Sequence, residues 1–272
     1  MIIDFHTHAF PEKIAARTLD VLRKGSLTVS GIDCVPTTDG TTRGLIEQLD
    51  QAGVDMAVVL PIATKPEQTE TINRVAAEAY AQSQGRLISL GSVHPADNAA
   101  PDAVDRAAEM GIVGLKLHPE FQGVDIDSAC SIAVLRRAAK NKMPVVIHAG
   151  NDIGLPPPVH STPDMILRAL DAVPELTLVA AHLGGWRMWD EVAEKLCGAP
   201  LYFDTAFISE YIEPSLARDI IRAHGADRVL FGSDCPWEAP SATLAFLQGL
   251  GLDESELMLI KGENAKKILK IN

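Results

Sequence analysis

The sequence predicts an α/β fold, a (β/α)8 TIM barrel built as a single domain over residues 1–272. Short apolar runs alternate with helical segments along the chain, and about eight such units in this length fit a closed barrel. The runs are nearly continuous in Val, Ile and Leu, which is typical of parallel strands buried on both faces. An open doubly wound sheet is the alternative, but no Gly-x-Gly-x-x-Gly follows the first strand.

Each predicted strand is a short apolar run that ends at or near a polar residue. The strands begin at residue 2 and then cover residues 55–62, 86–93, 112–117, 144–147, 176–181, 201–204 and 228–232. The predicted helices cover residues 41–52, 66–84, 101–110, 128–142 and 162–173, a segment after Gly184-Gly185, and residues 214–224, 240–250 and 253–269. Gly53 and Gly111 mark helix ends, because glycine readily adopts the left-handed backbone that closes a helix.

The first strand is followed by an insertion that reaches to about residue 40. Proline and glycine interrupt it, so we expect a long loop that carries a short helix around residues 12–24, or a hairpin. A long connection that leaves a strand bearing candidate site residues is commonly a cover for a substrate.

Composition limits the classes of partner and the compartment. Lys+Arg 24 against Asp+Glu 36 gives a net charge of -12, which disfavours nucleic acid and anionic membranes as partners. No apolar run approaches the roughly 20 residues of a membrane span, and the N-terminus reads as a strand, not a signal peptide. The four cysteines form no Cys-x-x-Cys pair, which is typical of reduced thiols. We therefore expect a cytoplasmic protein with a small-molecule substrate, and keep homodimer formation open.

Histidines, one lysine and one aspartate stand at the ends of the predicted strands. These residues are His6, His8, Lys116, His118, His148, His182 and Asp234. The carboxyl ends of barrel strands meet at one face, so the side chains are expected to converge there. Three imidazoles and a carboxylate can hold one ion of the zinc, iron, nickel or manganese type and leave a position for water. The sequence therefore predicts a metal-dependent active site.

The motifs DFHTH, GLKLHP, VVIHAG, AAHLGGW and FGSDCPW occur in this order along the chain. They resemble the amidohydrolase superfamily, and most closely the amidohydrolase 2 branch, which includes aminocarboxymuconate-semialdehyde decarboxylase and many metal-dependent hydrolases. The resemblance implies a TIM barrel in which His6, His8 and His148 are metal ligands and Asp234 is the last ligand or the general base. It implies that His182 is a ligand in binuclear members and a polarising or proton-handling group in mononuclear ones.

Lys116 leaves two alternatives. In binuclear relatives a lysine of the fourth strand is carboxylated and bridges two metals, whereas in the decarboxylase branch the bridge is absent. We favour an unmodified lysine, because His118 follows it in a Lys-x-His-Pro pattern that resembles the mononuclear branch. The expected cofactor is accordingly one zinc ion.

The expected reaction is hydrolysis of a small carboxylate, lactone or amide by a metal-activated water, with Asp234 and His182 as catalytic residues. The alternative is a metal-dependent non-oxidative decarboxylase or hydratase of a small unsaturated carboxylic acid, which would use the same residues. A catalytically silent binding protein ranks last, because no expected ligand is missing.

Five residues are predicted to contact the substrate, and they are Lys116, His118, His160, Trp186 and Trp237. The first two end the fourth strand. His160 lies in a proline-rich loop after the fifth strand, and a loop in that place can close over the site. Trp186 and Trp237 follow the sixth- and eighth-strand motifs, where they would form walls of a pocket.

Overall fold

The computed structural model describes residues 1–271, and the side chains of residues 79–82 lie outside that description. The strands are β1 Ile3–Thr7, β2 Met56–Val59, β3 Leu87–Ser89, β4 Leu115–Leu117, β5 Val145–Ile147, β6 Leu178–Ala180, β7 Tyr202–Asp204 and β8 Val229–Leu230. The α-helices are α1 Glu12–Ser30, α2 Thr42–Ala52, α3 Thr69–Gln82, α4 Ala100–Glu109, α5 Pro119–Gln122, α6 Ala129–Lys140, α7 Pro163–Ala172, α8 Trp189–Lys195, α9 Pro214–His224, α10 Pro240–Gly249, α11 Glu254–Met258 and α12 Asn264–Leu269. A π-helical segment, Leu259–Glu263, joins α11 to α12.

The strands pair in parallel as two sheets, with the orders β1-β2-β3 and β4-β5-β6-β7-β8. Isolated bridges join the two sheets at both of their junctions. One bridge, between Gly91 and Leu115, connects the β3 side to β4, and the other, between Thr7 and Cys235, connects β1 to the segment after β8. Backbone hydrogen bonds cross the second junction as well, since the N–H of Phe5 donates to Phe231 O at 2.7 Å. The strands therefore run around a barrel, which confirms the predicted (β/α)8 fold.

The core has two layers, because alternate residues of each strand face opposite sides of the barrel wall. One cluster of buried residues contains Phe5, Val58, Val146 and Val179 and fills the interior. A larger cluster packs the other strand face against the helices. In β4, Lys116 pairs in register with Val146, so a lysine occupies an interior position that is apolar in the neighbouring strand.

The first strand is irregular where it carries its histidines. The pairing register of β1 with β2 shifts between Asp4 and Thr7, which marks a bulge or a similar irregularity. Such an extra residue turns the side chains that follow it. His6 and His8 both line the cavity at the strand ends, as the His-x-His pattern predicts.

The insertion differs from its prediction in one respect. It holds one long helix, α1, of 19 residues, and not a short helix or a hairpin. The helix continues through Gly25, where a Cβ would lie 3.7 Å from Gly154 O, and it ends at Gly31 with φ 74°. A helical glycine costs only about 1 kcal/mol, so it does not stop a helix that has packing partners. No helix among the described residues, α1 included, is long and apolar enough to cross a membrane.

Candidate active site

A cavity of about 1170 Å³ lies at the carboxyl ends of the strands. The predicted site residues His6, His8, Lys116, His118, His148, His182 and Asp234 all line it. Helix α1 forms part of one wall through Ile14, Thr18 and Leu22. The insertion therefore borders the site, and barrel geometry brings residues from five strand ends into one chamber.

His6, His8 and Asp234 form a group whose ligand atoms lie within 4.8 Å of one another. His8 Nε2 is 3.0 Å from Asp234 Oδ1, and His6 Nε2 is 3.5 Å from the same oxygen. Burial alone would raise the pKa of Asp234, but the neighbouring His6 and His8 outweigh it and lower the value to about 2. Asp234 is therefore an ionised carboxylate over the whole working range of pH.

The remaining ring nitrogens of these histidines have fixed hydrogen-bond partners. His6 Nδ1 is 2.8 Å from Asp204 Oδ2, and His8 Nδ1 is 2.9 Å from Leu60 O. A carbonyl or carboxylate oxygen only accepts, so we assign the proton of each neutral ring to Nδ1 and leave Nε2 bare. In the metal-binding form, two bare nitrogens and a carboxylate oxygen then face each other, whereas in the metal-free protein the two rings stabilise the Asp234 carboxylate. This donor set suits a divalent transition metal.

His148 and His182 meet beside this group. His182 Nδ1 is 2.8 Å from Ala206 O, and His148 Nε2 is 3.0 Å from Asn151 O, so the same reasoning leaves His182 Nε2 and His148 Nδ1 bare. These two nitrogens are 3.0 Å apart, which is a hydrogen-bond distance when one of them carries a proton and leaves both lone pairs free only when neither does. Burial lowers the pKa of both rings, which favours the neutral form. The predicted fourth ligand, His148, thus presents a free lone pair to the cavity, next to His182.

A second group, His118, His148 and Asp152, lines the same cavity. His118 Nε2 is 3.4 Å from Asp152 Oδ2, and the N–H of Phe121 donates to His118 Nδ1 at 3.3 Å. His118 therefore carries its proton on Nε2 and points a donor at Asp152. Burial raises the pKa of Asp152 to about 6. This arrangement is a carboxylate facing N–H donors, which suits substrate binding better than metal binding.

Lys116 is a buried cation without an ion pair among the described side chains. Its nearest polar neighbour is His6 Nε2, 3.4 Å from Nζ. Burial lowers the pKa of Lys116 to about 8, although Asp204 and Asp234 raise it in part. Glu120, four residues after Lys116 in the chain, accepts hydrogen bonds on Oε1 from Ser161 Oγ at 2.7 Å and from the N–H of His160 at 3.0 Å instead of pairing with the lysine.

Of the other predicted substrate contacts, the two tryptophans line the cavity and His160 does not. Trp186 and Trp237 line the cavity, and the Arg187 guanidinium carbon lies 4.6 Å from the centroid of the Trp186 ring. His160 is not among the residues that line the cavity in the described chain. Its Nδ1 pairs with Asp125 Oδ1 at 2.6 Å, so the loop after β5 turns this ring toward an acidic neighbour.

Two aspartates that the sequence does not predict as site residues, Asp204 and Asp152, also belong to the site. Asp204 ends β7 and is fully buried against His6. The rule of polar residues at strand ends points to Asp204 as it does to His148. Asp152 carries no such signal, because it lies in the loop after β5 and reaches the cavity only through the path of that loop.

Comparisons with known proteins place this site in a family. A family model described as amidohydrolase matches residues 3–271. No curated protein sequence matches the chain. Among solved structures, an uncharacterised TIM-barrel protein from Bordetella bronchiseptica has 20% identity and a TM-score of 0.80, over 99% of this chain and 98% of that one.

Two further structures are decarboxylases. The 5-carboxyvanillate decarboxylase from Sphingomonas paucimobilis has 18% identity and a TM-score of 0.72, over 100% of this chain and 99% of that one. The 5-carboxyvanillate decarboxylase from Novosphingobium aromaticivorans, a complex with manganese and a nitrobenzoic acid, has 16% identity and a TM-score of 0.75, over 100% and 96%. At these identities the similarity shows the fold, whereas the match to the family model covers nearly all of the sequence. The chain belongs to the amidohydrolase family.

Proposed function

We propose that the protein is a metal-dependent, non-oxidative decarboxylase of an unsaturated or aromatic carboxylic acid. The observation that carries this proposal is Lys116, a buried ammonium that lines the cavity beside His6 and forms no direct ion pair with a described side chain, although Asp204 and Asp234 lie near enough to raise its pKa. Burying an unpaired charge is costly, and a substrate carboxylate would supply the missing partner. The decarboxylases among the solved structures of the same fold add support.

The walls of the cavity suit the organic part of such a substrate. Phe121, Trp186, Phe207 and Trp237 line it, and aromatic side chains pack well against a flat ring or a conjugated chain. The charged groups are grouped at the strand ends, so an acid would bind with its carboxylate inward and its apolar part toward these rings.

His6, His8, His148 and Asp234 are the residues that would hold the metal. A divalent ion there would supply Lewis-acid polarisation of a substrate oxygen. Zinc is the ion that the sequence predicts, and it stays a prediction. The bare nitrogens of the three histidines and the ionised carboxylate of Asp234 are the observations that support this ligand set.

The protein residues then have separate tasks. Lys116 neutralises the substrate carboxylate and holds it near His6. His182 presents Nε2 to the cavity with its ring fixed by Ala206 O, so it can carry the proton that replaces the carboxyl group. His182 Nε2 first takes a proton from water. The carbon–carbon bond then breaks, carbon dioxide leaves, and the electron pair on carbon takes that proton. The substrate carboxylate and one proton thus become the decarboxylated product and carbon dioxide.

Hydrolysis, the first expectation from the sequence, would use the same residues, and it stays a prediction. The two reactions differ in their products. A panel of unsaturated and aromatic acids, lactones and small amides should therefore be incubated with the enzyme in deuterium oxide and, separately, in water labelled with heavy oxygen. We expect stoichiometric carbon dioxide and one deuterium on the product carbon. Heavy oxygen in the product without carbon dioxide release would show hydrolysis instead.

Metal content should distinguish the ligands from His182. We expect about one equivalent of divalent transition metal per chain, and expect His6→Ala and His148→Ala to lose it, because each removes a primary ligand. His182→Ala should keep the metal and lose rate by on the order of a hundredfold or more. Elemental analysis with turnover measurements on the three variants checks this. Full metal in His6→Ala, or loss of metal in His182→Ala, would contradict the assignment.

Lys116 should act as an unmodified amine that binds the substrate carboxylate. Since its pKa is lowered to about 8, the ammonium is present below pH 8 and is lost above it, so KM should rise above pH 8. Lys116→Met should raise KM by roughly 10- to 100-fold, the value of a charged hydrogen bond, and remove this pH dependence. The exposed Lys140→Met is the matched control. Electron density for a carboxylated Lys116 that bridges two metals would refute the prediction.

A further inference from the structure

We propose that Asp204 is a positioning residue that fixes the metal-binding tautomer of His6 through one carboxylate oxygen and places His182 through the other. The carboxylate is fully buried at the end of β7. This inference rests on the proposed metal binding by His6. In this proposal, one residue positions both the metal ligand His6 and the proton carrier His182.

The first oxygen of Asp204 faces the ring of His6. Oδ2 lies 2.8 Å from His6 Nδ1, and both groups are sealed from solvent. An ionised Asp204 can only accept, so the ring then carries its proton on Nδ1, and Nε2 is left bare toward Asp234. Without this acceptor, a neutral His6 could place its proton on Nε2, where the proton would block metal binding.

The second oxygen holds the backbone at the end of β6. Oδ1 accepts hydrogen bonds from the N–H of His182 at 2.8 Å and from the N–H of Ala206 at 3.1 Å. His182 has a left-handed backbone with φ 59°, a conformation that needs support from its surroundings. The carbonyl of Ala206 in turn accepts the Nδ1 proton of His182. The orientation of the His182 ring therefore depends on Asp204 at two points.

Asp204→Asn separates the two tasks, because an amide offers one accepting oxygen and one donating nitrogen. The oxygen should stay with the two backbone N–H groups, since the opposite orientation would break two hydrogen bonds to keep one. The amide nitrogen then faces His6 Nδ1 as a donor and forces the His6 proton onto Nε2. Metal binding should suffer, while His182 keeps its backbone contact.

The test uses the full-length apoprotein and Zn²⁺ alone. We expect Asp204→Asn to weaken Zn²⁺ binding by roughly 10- to 100-fold, the usual effect of losing such a partner. Nitrogen-15 spectra of labelled histidine should show His6 protonated on Nδ1 in the wild type and on Nε2 in the variant. Asp4→Asn is the matched control, because Asp4 is equally buried and accepts from the backbone N–H of His6 at 3.2 Å and from the backbone and hydroxyl of Ser233, without touching a histidine ring. It should change Zn²⁺ affinity by less than about threefold and leave the tautomer unchanged.

Unchanged Zn²⁺ affinity in Asp204→Asn, or an equal loss in Asp4→Asn, would overturn the proposal. If Asp204→Asn does not fold, the wild-type spectrum decides, because a His6 protonated on Nε2 in the apoprotein excludes the role of Asp204. None of these readouts requires turnover, so failure to release carbon dioxide would refute the proposed reaction and leave the tautomer result standing. A wild-type protein that binds no Zn²⁺ would overturn the metal-positioning role.

Discussion

Asp234→Asn should reduce kcat/KM by on the order of a thousandfold or more, the largest loss that we expect from one substitution in the site. The amide has nearly the shape of the carboxylate, but it carries no charge to balance a divalent metal. The group is ionised in the native protein, where its pKa is lowered to about 2, so the substitution removes a full negative charge. Steady-state kinetics and metal analysis on the same preparation should show both losses together.

The fold should tolerate this substitution, which makes the result interpretable. Asp234 has φ 68°, and asparagine is among the residues that adopt this left-handed region most readily. Unfolding by urea should therefore change little when both proteins are compared without metal. Asp219→Asn, at an exposed carboxylate of α9, is the control for loss of a charge alone. A variant that keeps its metal and loses less than about tenfold in rate would exclude Asp234 both as a metal ligand and as a catalytic residue.

Gly150→Ala should be the most destabilising substitution of a small residue that we can name near the site. A Cβ at this position would lie 2.4 Å from Trp186 N and 2.7 Å from Trp186 O, and neither backbone atom can move alone. The two segments are joined by a backbone bridge, so the added methyl group would force them apart. With the additional strain of a φ of 82°, we expect a loss of about 3 kcal/mol or more in the free energy of unfolding.

A second glycine, substituted in the same way, measures how much of the loss in unfolding free energy comes from the left-handed backbone alone. Gly111 has φ 83°, but a Cβ there would meet nothing within 4 Å. Gly111→Ala should therefore cost only about 1 kcal/mol, which is the left-handed penalty without a clash. Urea unfolding of both variants gives the difference directly. Equal losses in the two proteins would show that the contact between Gly150 and Trp186 is unimportant.

The barrel and most of its site could be predicted because two simple patterns agree. Apolar runs mark the strands, and the runs end at residues such as His148 and His182, which barrel topology must bring to one face. The position of Lys116 follows from the same logic, since it alternates with Leu115 and Leu117 in β4. Local sequence thus determines which residues reach the chamber.

The contacts within the chamber could not be predicted, because they join strands that are distant in sequence. Nothing in the LYFD segment shows that Asp204 will meet His6, which is 198 residues away. The partner of His160 depends on the course of two loops, and its pairing with Asp125 directs the ring away from its expected place. The length of α1 likewise depends on segments that are distant in sequence, because the helical Gly25 lies beside Gly154.

Helix α1 sets a condition on how fast the enzyme can work. Only Ala15, Leu19 and Ser26 of its 19 residues are buried, and the two apolar ones contribute about 3 kcal/mol to its attachment at the usual value for buried apolar side chains. An attachment free energy of that size would leave a detached state populated at on the order of 1%. If substrate can pass only when α1 is detached, its observed association rate is reduced by the same factor. Substitutions that fasten α1 more tightly should then slow the exchange of ligands while the chemistry beneath it is unchanged.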